Sequence, residues 1–231
     1  MIDINKHKYF MMQILHDIYS DLELANALGF KGGTAAMFFY NLPRFSVDLD
    51  FNLLKPELEN NVYKKLHNIL LKYGKIDDEA QKFFGHILVL DYGKGERKLK
   101  VEVSNRQYDN HYQVKTAMGT NMLVLTLPDM LAHKLCALLD RNQLTNRDIF
   151  DCWFFLSNRT PVNGSIVESR MNIPFADYLQ KCADTLEKIE DKGLLNGLGE
   201  LLDTKTKNFV RHKLRKEIVF LLRVYKEFPV V

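Results

Sequence analysis

The sequence predicts an α+β protein, with a mixed sheet in its N-terminal half and helices alone beyond about residue 125. Three observations carry this. Residues 46–54 alternate, with Ser46, Asp48, Asp50 and Asn52 on one face and Val47, Leu49, Phe51 and Leu53 on the other. Two more runs with strand character, 86–92 and 97–103, are joined by the turn Gly93-Lys94-Gly95-Glu96, as in a hairpin. From Thr126 onward the pattern is helical.

The elements follow in order. Tyr9, Met12, Ile14, Leu15, Ile18, Leu22, Leu24 and Leu28 recur at helical spacing and predict a helix over 6–28, with Gly29 as its stop. Gly32 and Gly33 make a tight turn, and Thr34 is placed to cap a short helix over 35–40. Pro43 ends that stretch, and Pro56 closes the strand at 46–54. An amphipathic helix over 57–73 ends at Gly74, and the hairpin follows. Thr126-Leu127-Pro128-Asp129 reads as a helix start with proline in the first turn, and that helix runs to about Asp140. Asn146 is placed to cap a helix over 147–156. Residues 158–174, with two prolines and a glycine, predict a loop, and helices near 175–191, 194–202 and 206–227 complete the chain. The expected domains are 1–125 and 126–231.

A chain of 231 residues that is 46% hydrophobic and 26% charged can bury a core as an ordinary soluble protein. No apolar run approaches the ~20 residues of a membrane span, and the first residues lack a signal-peptide pattern. Cys136, Cys152 and Cys182 are widely spaced, which predicts reduced thiols and a cytoplasmic location. The histidines show no zinc-ligand spacing. Residues 205–231 hold eight Lys and Arg against two Glu, whereas the whole chain is only +3. The basic character is therefore local, as on a polyanion-binding surface.

Asp48 and Asp50 carry the chemistry. On a strand their carboxylates point the same way, within roughly 4–7 Å. Two like charges ~4 Å apart repel by roughly 4 kcal/mol at an effective dielectric of about 20. Either water screens that face or a divalent cation sits on it, and Mg²⁺ favours one or two carboxylates plus substrate phosphates. Glu102, alternating with Leu99, Val101 and Val103, is a third acid for the site if its strand neighbours the first. Upstream, Gly32 and Gly33 let backbone approach a phosphate, and the helix start after them offers unpaired N–H groups. Neither G-x-G-x-x-G nor G-x-x-x-x-G-K-[ST] is present. Arg44 and Ser46 flank the acids as phosphate contacts. Lys134 lies mid-helix among Leu131, Leu135 and Leu138, and reads either as a snorkelling surface lysine or as an anion ligand. Asp148 and Asp151 share a helix face, either as acids favoured near a helix start or as functional groups. Trp153, Phe154, Phe155, Tyr40 and Phe45 read as core. In the last helix Phe209, Leu214, Ile218, Leu221, Leu222 and Tyr225 form one stripe, with Arg211, Arg215 and Lys216 largely off it.

The run G-G-T, a short helix, then L-P-R-F-S-V-D-L-D resembles the first motif of the AbiEii-type nucleotidyltransferases. These are toxins of type IV toxin–antitoxin and phage-abortive systems, within the DNA polymerase β-like nucleotidyltransferase superfamily. Residues 129–141, around Lys134, are similar to the family's lysine-containing helix, and Arg147-Asp148-Ile149-Phe150-Asp151 is similar to its R-D-x-x-D motif. The resemblance implies a polymerase β-like core. It implies Mg²⁺ on Asp48, Asp50 and Glu102, and a triphosphate bound by Gly32, Gly33, Thr34, Arg44, Ser46 and Lys134. Asp148 or Asp151 would orient Lys134 or the acceptor. The implied reaction moves NMP from an NTP to an acceptor, an RNA 3′ end and in particular tRNA. Apart from the resemblance, the basic residues Arg211, Arg215 and Lys216 read either as a solvated face of a core helix or as a surface that tracks the phosphates of that RNA. A cognate antitoxin is the implied partner. The alternatives are transfer to a protein or small molecule, and a non-catalytic binding module on the same fold.

Overall fold

The structure, a computed structural model, describes residues 3–141 and 143–230. It has two compact units: one holds the residues up to Asn41 together with Phe45–Leu125, the other holds Leu42–Arg44 and the chain from Thr126. Among the described residues no helix is long and apolar enough to cross a membrane.

The first unit is built on a mixed seven-stranded sheet. Its strands are β1 (Leu28–Lys31), β2 (Asp48–Leu53), β3 (Lys75–Lys82), β4 (Gly85–Asp91), β5 (Leu99–Ser104), β6 (Tyr112–Ala117) and β7 (Thr120–Leu125). They lie in the order β3-β4-β5-β2-β1-β7-β6. Helices α1 (Ile4–Ser20), α2 (Leu22–Ala27), α3 (Gly32–Phe39) and α4 (Glu59–Leu71) complete the unit, with a 3-10 turn at Pro56–Leu58 before α4. Leu49, Phe51, Val101, Val103, Leu88 and Leu90 point to one side and are buried, together with Met11, Leu15 and Ile18 of α1 and Val62 and Leu66 of α4. Each such side chain contributes about 1.5–3 kcal/mol of transfer free energy. A one-residue slip of β2 would send Leu49 and Phe51 to the polar face, so the same burial holds Asp48 and Asp50 on it.

The second unit is helical: α5 (Leu127–Asp140), α6 (Asn146–Ser157), α7 (Gly164–Met171), α8 (Phe175–Glu187), α9 (Thr204–His212) and α10 (Leu214–Glu227). Here α10 packs on α8 and α6, and α5 on α6 and α7. The Tyr178 hydroxyl donates to the Leu135 carbonyl at 2.8 Å, and the Tyr225 hydroxyl to that of Thr160 at 3.0 Å.

Several expected boundaries are corrected. The helix expected over 6–28 divides at Asp21, whose carboxylate caps α2, and Gly29 lies inside β1 rather than at a helix stop. The caps differ: Lys31 is the N-cap position of α3, not Thr34, and Thr145 caps α6, not Asn146. Strands β3, β6 and β7 are additional, and α7 lies inside the expected loop. The expected helix over 206–227 is two helices that break at Lys213, where the backbone turns to φ −129°, ψ −32°. Phe155 is buried, while Trp153 and Phe154 are half-buried.

Candidate active site

In the first unit, β2 runs parallel to β5 and pairs Asp48 with Lys100 and Asp50 with Glu102. On the other side, β1 pairs Lys31 with Asp50. Asp48, Asp50, Glu102, Lys100 and Lys31 therefore share one sheet face. The repulsion expected of the two aspartates is met first by these lysines. Lys100 Nζ donates to Glu102 Oε2 at 2.9 Å, and Lys31 Nζ to Asn52 Oδ1 at 2.5 Å. Burial favours neutral Glu102, but the Lys100 hydrogen bond and charge, with Lys31 and Lys82 beyond, hold its carboxyl below the ordinary range. Asp50 goes the other way. Its desolvation, reinforced by Asp48 and Glu102 against the pull of Lys100 and Lys31, pushes its carboxyl up.

Helix α3 starts beside this face. Gly32 has φ +78°, and a Cβ there would overlap Asp50 Oδ2 and lie 2.9 Å from Asp50 Cβ. Gly32 is thus required twice, by its left-handed backbone and by the carboxylate in the space of a side chain. No side chain caps the α3 N-terminus at Lys31, and the start of a helix directs its first N–H groups outward, as an anion site needs. The Thr34 hydroxyl donates to the Asp48 carbonyl at 2.5 Å, tying α3 to β2. Gly32→Ala is expected to cost roughly 1–3 kcal/mol of stability from its backbone conformation and to displace Asp50. A urea melt and a transfer assay on the same preparation check both losses.

His7 is a residue that sequence reasoning missed. It is fully buried, with Nε2 2.9 Å from the Val47 carbonyl oxygen and Nδ1 2.6 Å from the Tyr92 hydroxyl. A carbonyl only accepts, so Nε2 carries the hydrogen and neutral Nδ1 accepts from Tyr92. Burial lowers the His7 pKa, opposed by the Val47 hydrogen bond, and keeps that tautomer neutral. His7 thereby fixes the peptide between Val47 and Asp48. His7→Ala is expected to lose roughly 1–3 kcal/mol by orphaning a buried carbonyl and to lower transfer activity, while His7→Asn, which keeps a donor, recovers part of each. Chemical denaturation and initial rates of the two variants decide it.

The second unit holds the other residues that the sequence singled out. Asp151 is fully buried, and Arg44 grips it with two hydrogen bonds, Nε to Oδ1 at 2.5 Å and Nη2 to Oδ2 at 2.7 Å. Lys134 Nζ donates to the same Oδ2 at 2.5 Å. Lys134 is only 8% exposed, so it is a buried ion-pair partner rather than a snorkelling surface lysine. Burial favours neutral Asp151, but the charges and hydrogen bonds of Arg44 and Lys134 hold its carboxyl below the ordinary range. Asp148 accepts instead from the Thr145 hydroxyl at 2.6 Å and pairs with Arg141 Nε at 3.0 Å.

The basic trio is divided by the break at Lys213. Arg211 is exposed on α9 and Lys216 on α10. Arg215 pairs with Asp191 at 2.6 Å, and its Nη1 donates to the Glu187 carbonyl at 3.2 Å.

Among the described residues no three His, Cys, Asp or Glu side chains converge closely enough to hold a metal ion. The donor chemistry still fits a divalent cation. Glu102 is engaged by Lys100, whereas Asp50, desolvated and facing Asp48, is a carboxyl whose charge a cation would relieve.

Solved structures that share this architecture place it among nucleotidyltransferase folds. One is JHP933 from Helicobacter pylori, 20% identical over 97% of this chain and 92% of that one, with a TM-score of 0.62. Another is a candidate nucleotidyltransferase from the same organism, 19% identical over 96% and 94%, with a TM-score of 0.63. At such identities the likeness is one of fold. The chain itself belongs to the family described as nucleotidyl transferase AbiEii toxin of type IV toxin–antitoxin systems, which it matches over residues 13–215. It is therefore a transferase, and its family implies an NTP substrate and an antitoxin partner. Nucleotidyltransferases of this kind generally use a divalent metal. No curated protein sequence matches the chain.

Proposed function

We propose that this protein transfers NMP from an Mg²⁺-bound NTP to the 3′ end of an RNA, in particular a tRNA. The observation that carries it is the contact of the Gly32 backbone with the Asp50 carboxylate, which sets an uncapped helix start against two aspartates on one strand face. Asp48 and Asp50 would hold the metal. Bound Mg²⁺ supplies neutralisation of the triphosphate and of the departing pyrophosphate. The α3 amides at Gly32, Gly33 and Thr34 hold phosphate oxygens, with Ser46 as a further donor. Glu102, kept ionised by Lys100, accepts the proton of the attacking hydroxyl. The new bond joins that oxygen to the α-phosphorus, and the bond to the pyrophosphate bridging oxygen breaks.

For Lys134 and Arg44 the proposed role is on the triphosphate. It rests on the matched motif and on the convergence of both cations on Asp151. Asp151 would orient Lys134, and Asp148 would support the start of α6. Arg211, Arg215 and Lys216 are proposed to contact RNA phosphates, with Arg215 contributing least because Asp191 holds it.

The test is incubation of the protein with each α-labelled NTP and total cellular RNA, resolved by size. Label in an RNA band, lost in Lys134→Ala, supports the proposal. Label in protein or small molecules instead overturns the RNA acceptor and leaves nucleotidyl transfer standing. No label with any NTP overturns both.

A further inference from the structure

The turn between β3 and β4 presents two phenylalanines to solvent. Phe83 is 87% exposed and Phe84 52%. Their rings meet edge to face at 4.8 Å, and the Arg106 guanidinium lies 4.3 Å over the Phe84 ring. The tip is held in place. Gly85 has φ +125°, and a Cβ there would collide with the Val103 carbonyl. Asn105 donates from its backbone to the Phe84 carbonyl at 3.3 Å and from its side chain to that of Phe83, also at 3.3 Å.

Strand register connects this tip to the acids. Asp50, Glu102, Ile87 and Ala80 form one row across the sheet, and Asn52, Ser104, Gly85 and Lys82 the row two residues along. Paired residues point to the same side, so Lys82 lies on the acid-bearing face. Phe84 follows one residue beyond that row, about 10 Å along the strands from Glu102. The acids of β3, Asp77, Asp78 and Glu79, lie in the middle of that strand, three to five residues before Lys82. Glu59, near the tip, accepts from Asn105 at 3.0 Å.

The geometry points to Phe83, Phe84, Arg106 and Lys82 as a stacking platform for the single-stranded end of the acceptor RNA, on the way to Asp48 and Asp50. This rests on the proposed transfer to RNA. Exposed aromatic rings stack any base, for about 1–3 kcal/mol per base. Unpaired RNA ends can offer the base faces that a duplex hides. Arg106 and Lys82 suit the phosphates between stacked bases, and about three stacked nucleotides span the distance to Glu102. A purely apolar partner would gain nothing from two cations beside the rings.

The test compares the parent with the Phe83→Ala, Phe84→Ala double variant. Both rings are exposed, and an unchanged circular dichroism spectrum checks the fold. The probe is a short fluorescein-labelled single-stranded RNA read by anisotropy, with Mg²⁺–NTP binding measured separately by calorimetry. The expected result is an RNA Kd raised at least tenfold, about the loss of one stacked base, with NTP binding unchanged. The Phe83→Trp, Phe84→Trp variant should bind RNA as the parent does. Arg106→Gln and Lys82→Gln should each flatten the log–log salt dependence by about 0.7. An alanine variant with the parent's RNA affinity and salt slope overturns the platform and leaves the transferase reading intact. So does one whose only loss is capture of a protein partner. A parent that binds Mg²⁺–NTP but no RNA overturns the platform and the RNA acceptor together, while one that binds neither overturns the nucleotidyl-transfer reading as well.

Discussion

Asp151→Asn is expected to lower the unfolding free energy by about 3–5 kcal/mol, because it leaves Arg44 and Lys134 buried without their counter-charge. The asparagine keeps the volume of the aspartate, so the loss reports charge rather than a cavity. Lys134→Met should be milder, since Arg44 retains both bonds to Asp151. The pH dependence has a definite sign. The Asp151 carboxyl is held below its unfolded value, so its contribution is fully present above that value, about pH 4, and is lost as pH falls through the lower folded value. Urea melts of parent and variant at neutral and acid pH measure both effects. Equal midpoints at pH 7 would show that the trio contributes nothing to stability.

Asp48→Asn and Asp50→Asn should each reduce transfer by roughly 10²–10³-fold or more, the scale of losing one electrostatic group at a reacting centre. The fold should survive, and in Asp50→Asn it should gain. Because burial raises the Asp50 carboxyl, its ionised form destabilises the folded state at neutral pH. Removing that charge is expected to raise the melting temperature slightly, while NTP-dependent turnover falls by the factor given above. Unchanged turnover in both variants would sink the assignment of these acids.

The three neighbouring strands β4, β5 and β2 were legible because period-two alternation survives wherever one face is buried. Residues 46–54 show it plainly, and the face it assigns to Asp48 and Asp50 is the one observed. Strand β3 was not legible. As an edge strand with the sequence KIDDEAQK it buries almost nothing and carries no apolar signal. Strand β1 was hidden for the opposite reason: Leu28 and Phe30 continue the apolar pattern of the helices before it. The break at Lys213 leaves helical periodicity on both flanks, so periodicity alone reads straight through it. At the candidate site, local spacing shows the aspartates and the Gly-Gly turn. His7 reaches Val47 across 40 residues, and Arg44 reaches Asp151 across 107. Nothing in the neighbourhood of either residue announces its partner.

That last separation bears on when a nascent chain becomes dangerous. The strand with the aspartates is entered from Leu42–Arg44, a segment that belongs to the second unit and whose arginine is gripped by a residue on α6. A ribosome that has released only the first unit has not yet made Asp151. Arg44 then has no such carboxylate to close on, and such long-range pairing is slow to form. Arg44 would thus gain its carboxylate partner only after about two thirds of the polypeptide exists. Truncated translation products ending before α6 should be poor toxins even though every proposed metal ligand is present in them.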